Sequence, residues 1–152
     1  MENVKEMMSV FGKLHKLNHG IALGGSVAAQ LQHAGYREEA KDLDIIITGD
    51  DYLLSFPEGT SMILPTQLRY PADRLICTLL IDRVRVDVLK GFEGRITQEY
   101  HDPNLGPFNI VSIEYIVRAK LEIVMNRYVS REIREKHADD IVKITSKTVP
   151  RS

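Results

Sequence analysis

The sequence predicts an α+β domain, a mixed twisted sheet flanked by helices with a helical pair at its C-terminal end. Three observations carry that reading. A short β-branched run, Asp42-Leu-Asp-Ile-Ile-Ile-Thr48, follows a helix-forming stretch that a glycine pair opens. Two apolar runs, Leu75 to Ile81 and Arg83 to Leu89, lie close enough in the chain to pair as a hairpin. The segment after Ser112 carries apolar residues at helical spacing in two blocks. Strands and helices mixed in this order suggest a sheet with helices packed on it.

The elements follow in order. Val4, Met7, Met8, Phe11, Leu14 and Leu17 recur at helical spacing and predict an amphipathic helix ending near Asn18-His-Gly20. Ile21 to Leu23 reads as a short strand, Gly24-Gly25-Ser26 as a turn, and Val27 to Ala34 as a helix that Gly35 stops. The strand from Asp42 to Thr48 is closed by Gly49-Asp-Asp51. From Tyr52 to Asp73 the prolines and glycine permit only a weak strand at Met62 to Leu64. The hairpin turns near Asp82-Arg83, and Gly91 to Pro107 reads as an irregular connector. Phe108 to Val111 is one more short strand, Ser112 caps a helix running from Ile113 to about Arg127, and a last helix spans about Ser130 to Lys147. The reading is of a single domain, 1–152, with a core over about 1–111 and the C-terminal helices over about 112–147.

Composition excludes several classes. At 152 residues and 43% apolar, the chain suits one compact domain that buries a core. No apolar run approaches the roughly 20 residues needed to cross a bilayer. The N-terminal residues alternate charged and apolar types, unlike a secretory signal, so a cytosolic (cytoplasmic) location is expected. Cys77, the single cysteine, lies within an apolar strand and reads as a small hydrophobe. With 20 basic against 21 acidic residues, the domain lacks the strong positive field that gathers nucleic acid.

The chemistry is concentrated in carboxylates. Asp42 and Asp44 are two apart in a strand, so both point to one face while Leu43, Ile45 and Ile47 turn to the other. Crowded like charges raise one another's pKa, a cost that a divalent cation relieves. Hard oxygen ligands suit Mg²⁺, which commonly shares its coordination with substrate phosphates. Val84, Val86 and Val88 alternate with Arg83, Arg85 and Asp87, which makes Asp87 a third acid if the two strands are neighbours. Such a cluster suits two-metal phosphoryl chemistry, although Asp87 pairing simply with Arg85 is the plainer alternative. Gly24-Gly25-Ser26, between strand and helix, offers backbone amides to an anion and is a candidate triphosphate cradle. It is neither a P-loop nor a dinucleotide fingerprint.

Taken together, Leu23-Gly-Gly-Ser-Val-Ala-Ala-Gln-Leu31, Lys41-Asp-Leu-Asp-Ile-Ile-Ile47 and Val86-Asp-Val-Leu89 resemble the signature of the DNA polymerase beta-like nucleotidyltransferase superfamily. The spacing from Ser26 to Asp42 is similar to that of lincosamide and aminoglycoside nucleotidyltransferases and abortive-infection toxins. The resemblance implies that Asp42 and Asp44 bind two Mg²⁺ ions, and that Asp87 holds the catalytic one and helps deprotonate an acceptor hydroxyl. It also implies that Gly25 and Ser26, with Gly24 beside them, hold the phosphates of a nucleoside triphosphate, with ATP the expected one. The implied reaction is in-line attack on the α-phosphorus with pyrophosphate leaving.

The C-terminal helices add a cationic set. Ile113, Ile116, Val117, Leu121 and Val124 form the apolar stripe of the first, where Lys120 also falls, with Arg127 seven residues on along the same side. Ile133, His137, Ile141 and Ile144 form the stripe of the second, with Asp140 among them. Asp140 pairs with Lys120 or Arg127, or those cations bind nucleotide, and both can hold together. The pattern resembles the helical end of the superfamily, where a lysine touches the triphosphate. His137 stands where many relatives have an acid and receives no role, and Lys136 reads as a solvated charge. The competing readings are a non-catalytic nucleotide-binding or interaction subunit of the same fold and a toxin–antitoxin component acting on tRNA or protein. The acceptor, whether antibiotic, protein or tRNA, stays open, and a homodimer or a helical partner protein is a candidate source of the acceptor site.

Overall fold

The computed structural model describes residues 3–48, 54–64, 74–91 and 97–148. Its elements are α1 (Val4–Leu17), β1 (Ile21–Gly24), α2 (Gly25–Leu31), β2 (Asp42–Ile47), β3 (Ser61–Ile63), β4 (Leu75–Ile81), β5 (Val84–Lys90), β6 (Thr97–Asp102), β7 (Gly106–Val111), α3 (Ile113–Val124) and α4 (Arg131–Thr148). The expected closing segment Gly49-Asp-Asp51 lies outside the described residues.

The strands form one mixed sheet in the order β3-β4-β5-β2-β1-β7-β6. β2 pairs with β5, and β1 with β7, in parallel; the remaining neighbours are antiparallel. Burial explains why β1 and β2 are central. Every residue of β1 is buried, as are Leu43, Ile45, Ile46 and Ile47 of β2, so these runs have apolar neighbours on both faces. Phe11 of α1, Val27 of α2 and Ile144 of α4 complete the core around Leu23, Leu43, Ile45 and Val86.

Several boundaries differ from the sequence reading, each for a local reason. α2 opens at Gly25 and ends at Leu31, short of Ala34. There the Gln32 amide donates to the Ala28 and Val111 carbonyls, and His33 takes a left-handed φ of 61°. The hairpin turn uses both Asp82 (φ 48°) and Arg83 (φ 68°), so β5 starts at Val84; two left-handed residues match the right-handed twist of the flanking strands. The expected irregular connector from Gly91 to Pro107 contains a strand, β6, paired antiparallel with β7 at the sheet edge. Its residues Thr-Gln-Glu-Tyr-His-Asp show no apolar alternation because none of them is buried. Asp102 closes the following turn by accepting from the Asn104 and Leu105 amides.

The helix α3 ends at Val124, not near Arg127, and its buried side is rotated from the expected stripe. Tyr115, Ile116, Lys120 and Ile123 are buried, whereas Leu121 is 47% exposed. The Ser112 hydroxyl accepts from the Tyr115 amide and caps its start, as the sequence indicates.

Candidate active site

The site is built where β1 turns into α2 beside the start of β2. Gly24 lies opposite Asp44 in the β1–β2 register. Gly25 has φ +63°, and a Cβ there would overlap the Asp44 carboxylate, whose Cγ is 2.9 Å from that position. Glycine is therefore required twice over, by backbone conformation and by the approach of an acid. Ser26 lines a cleft of about 410 Å³ together with Asp42, Asp44 and Lys120. Gly25, Asp44 and Lys120 share a smaller adjoining cavity of about 80 Å³, walled by Tyr115, Ile116 and Ile123 of α3.

Asp87 comes to the same sheet face from β5. In the parallel β2–β5 register, Asp44 lies opposite Asp87 and Asp42 opposite Arg85. Partners across a ladder point the same way, so the three acids and Arg85 share a face. Asp87 is fully buried, and its Oδ1 accepts from the Thr78 hydroxyl at 2.8 Å, Thr78 being its register partner on β4. Arg85 Nε stands 3.7 Å from Asp42 Oδ1 and 3.6 Å from Asp87 Oδ1. The plainer pairing of Asp87 with Arg85 is thus present, and it includes Asp42.

This arrangement bears directly on a divalent ion. The donor chemistry fits, since three carboxylates on adjoining strands offer the hard oxygens that Mg²⁺ takes. The side-chain placement does not gather them: among the described residues no three His, Cys, Asp or Glu side chains are grouped to hold a metal ion. A guanidinium stands between two of the three acids instead.

A cationic cluster forms the opposite wall. Lys120, 6% exposed, donates to Asp140 Oδ2 at 3.1 Å, lies 3.2 Å from His137 Nδ1 and sits 4.2 Å from the centre of the Tyr36 ring. Asp140 also accepts from Arg37 at 2.7 Å. The interhelical pair therefore forms with Lys120. Burial pushes the Lys120 ammonium down to about 8, against the opposing pull of Asp140. A charged Lys120 has donors alone, so it needs the Nδ1 lone pair of His137 as acceptor. Burial, then the charges of Asp44 and Asp140, raise the Tyr36 hydroxyl above its ordinary range.

Arg127 is not brought to this site. It follows the end of α3, where its guanidinium donates to the Tyr128 hydroxyl at 3.0 Å and lies over the Tyr128 ring. It lines a separate open cleft with Arg118, Leu121 and Met125. The helical count that aligned it with Lys120 fails because the helix stops three residues before it. Four residues that the sequence reading did not assign join the site: Tyr36, Arg37 and Lys41 line the cleft, and Thr78 holds Asp87. His137 lines both cavities, and Lys136, exposed at the rim, lines the larger. Cys77 lies in β4, where burial and then the charge of Asp87 push its thiol up.

Solved structures that resemble this chain over nearly its whole length include two nucleotidyltransferase or nucleotidyltransferase-like proteins. One is an antigenic nucleotidyltransferase-like protein from Paracoccidioides brasiliensis, with a TM-score of 0.59 and 20% identity, covering 99% of this chain and 78% of that one. The other is the aminoglycoside nucleotidyltransferase ANT(2″)-Ia, in complex with adenylyl-2″-tobramycin, with a TM-score of 0.58 and 13% identity, covering 96% of this chain and 89% of that one. No protein-family model and no curated protein matches the sequence. The structural likeness shows a shared nucleotidyltransferase fold, the fold that the sequence resemblance implies.

Proposed function

We propose that this chain is a Mg²⁺-dependent nucleotidyltransferase that moves a nucleoside monophosphate from a nucleoside triphosphate, ATP by expectation, to an acceptor hydroxyl. The observation that carries the reading is the register of β2 against β5, which sets Asp44 opposite Asp87 beside the Gly24–Ser26 turn. The shared fold with a protein that carries an adenylylated product in its crystal supports it.

Asp42, Asp44 and Asp87 are the residues that would hold Mg²⁺, and that ion, when bound, supplies charge neutralisation to the phosphates and acidifies the attacking hydroxyl. The chain's own contributions are positional. The Gly25 backbone lets a phosphate approach, and Ser26, which lines the cleft, offers a hydroxyl. Lys120 and Arg37 supply positive charge on the opposing wall, held by Asp140 so that they do not collapse onto Asp42 and Asp44. Preorganised charges of this kind stabilise developing charge without reorganising during reaction. Thr78 fixes the Asp87 carboxylate, to which we assign the acceptor's proton.

Incubating the protein with each labelled nucleoside triphosphate, Mg²⁺ and mixtures of aminoglycosides, proteins or tRNA tests the reading by mass spectrometry. A monophosphate added to one acceptor class supports it. Unmodified mixtures throughout, although a triphosphate binds, favour the alternative of a non-catalytic nucleotide-binding subunit that keeps the fold.

A further inference from the structure

Arg85 occupies an unusual position for a cation so close to proposed metal ligands. Its register partner across β2 is Asp42, and it precedes Asp87 by two on β5, so its side chain rises on the acidic face between them. Its Nε lies 3.6 and 3.7 Å from the two carboxylates, too far for a hydrogen bond, and is a buried donor without a hydrogen-bond partner. The guanidinium is thus held at this point by charge and not by the bidentate geometry that makes arginine–carboxylate pairs strong. The side chain is 29% exposed, which gives it a way out toward solvent.

We infer that Arg85 is a displaceable counter-ion, which neutralises Asp42 and Asp87 and must move aside before a divalent cation can join the three acids. This inference rests on the metal-dependent reading of the site and adds to it a residue that sets how readily the ion enters. Two features make exchange favourable. A divalent ion carries twice the charge and accepts oxygen ligands from several directions, whereas Arg85 leaves its Nε–H unsatisfied. Until it moves, the positive charge of Arg85 opposes a second cation at about the same place. Arg85 is therefore a positioning residue, acting through Asp42 and Asp87.

The test uses Mn²⁺ as probe and no nucleotide. Free Mn²⁺ is measured by electron paramagnetic resonance during titration of the wild type, Arg85→Gln and Arg85→Lys. Removing the charge tightens Mn²⁺ binding by about tenfold or more, a small fraction of the Coulomb energy of a +1 and a +2 cation a few ångströms apart because the arginine can swing toward solvent; Arg85→Lys stays near the wild type. Equal or weaker binding by Arg85→Gln overturns the inference and leaves the metal reading standing. Absence of binding by all three proteins overturns both. A measurement on the unaltered chain covers the case in which Arg85→Gln does not fold. The Arg85 Nε–H resonance, assigned by its loss in Arg85→Lys, shifts on saturation with Mg²⁺ if the side chain is displaced, and an unmoved resonance rules displacement out.

Discussion

Lys120 of α3 and Asp140 of α4 meet at 3.1 Å in the interior, both almost fully removed from water, and Arg37 joins the same carboxylate oxygen. Breaking such a pair from one side leaves a buried charge without its counter-ion. Asp140→Asn should therefore lower stability by about 3–5 kcal/mol, with the neutralisation of Lys120 keeping the loss toward the lower figure. Denaturant unfolding near neutral pH measures it, and a loss under 1 kcal/mol would contradict the pairing.

The same lysine predicts a pH dependence. Its folded pKa of about 8 lies below the ordinary 10.5, so between these values the unfolded chain binds more protons than the folded one. Stability from this group then rises with pH across that window and is flat below it. The difference in unfolding free energy between the wild type and Lys120→Met should increase from pH 8 to 10.5. A difference that falls over this range would put the Lys120 pKa on the other side of its reference.

Gly25→Ala should fail on two counts, because Ala must adopt φ +63° and its Cβ overlaps Asp44. We expect a stability loss of about 1–3 kcal/mol from the backbone alone. Triphosphate binding should fall further than stability does, since Asp44 has to move. Calorimetry on the folded fraction separates the two effects.

Thr78→Val deletes the hydrogen bond that Asp87 accepts in a fully buried setting. Leaving a buried acceptor short of a donor costs about 1–3 kcal/mol, more for a charged group. Thr78→Ser keeps the donor and should recover most of that loss, so the two variants compared in one unfolding series distinguish hydrogen bonding from packing.

Arg127 and Lys120 make a contrasting pair. Arg127→Ala, at an exposed turn outside the acidic cleft, should change stability by about 0.5 kcal/mol or less and leave triphosphate affinity as it is. Lys120→Ala should lower transfer activity on the order of a hundredfold, the scale of one lost preorganised donor. Equal effects of the two would reject the placement of Lys120 in the site.

What the sequence disclosed follows from how local each signal is. The run from Asp42 to Ile47 and the glycine pair at Gly24–Gly25 are written in adjacent residues, with alternation fixing the face of each carboxylate; the structure keeps the strand, while Gly24 ends β1 and Gly25 and Ser26 open α2 with no loop between them. The hairpin of β4 and β5 is likewise legible because two apolar runs meet at a two-residue turn. β6 was hidden because an edge strand that faces solvent needs no apolar period. Tyr36 reaches Lys120, and Arg37 reaches Asp140, through packing of segments 84 and 103 positions apart, a relation no local pattern records. Thr78 becomes the partner of Asp87 through strand register, and the register depends on the turn as a whole. A helical count sets Arg127 beside Lys120 only if the helix continues, and α3 ends at Val124.

The central claim is that a metal–triphosphate complex docks against Asp42 and Asp44. Isothermal titration of each nucleoside triphosphate into the wild type, Asp42→Asn and Asp44→Asn, with Mg²⁺ and again with a chelator, measures it most directly. The account predicts binding of a triphosphate by the wild type that weakens by at least about tenfold on removing Mg²⁺ or on either substitution, the scale of one lost charge interaction. Binding indifferent to Mg²⁺ and to both carboxylates, or no binding of any triphosphate, would contradict it.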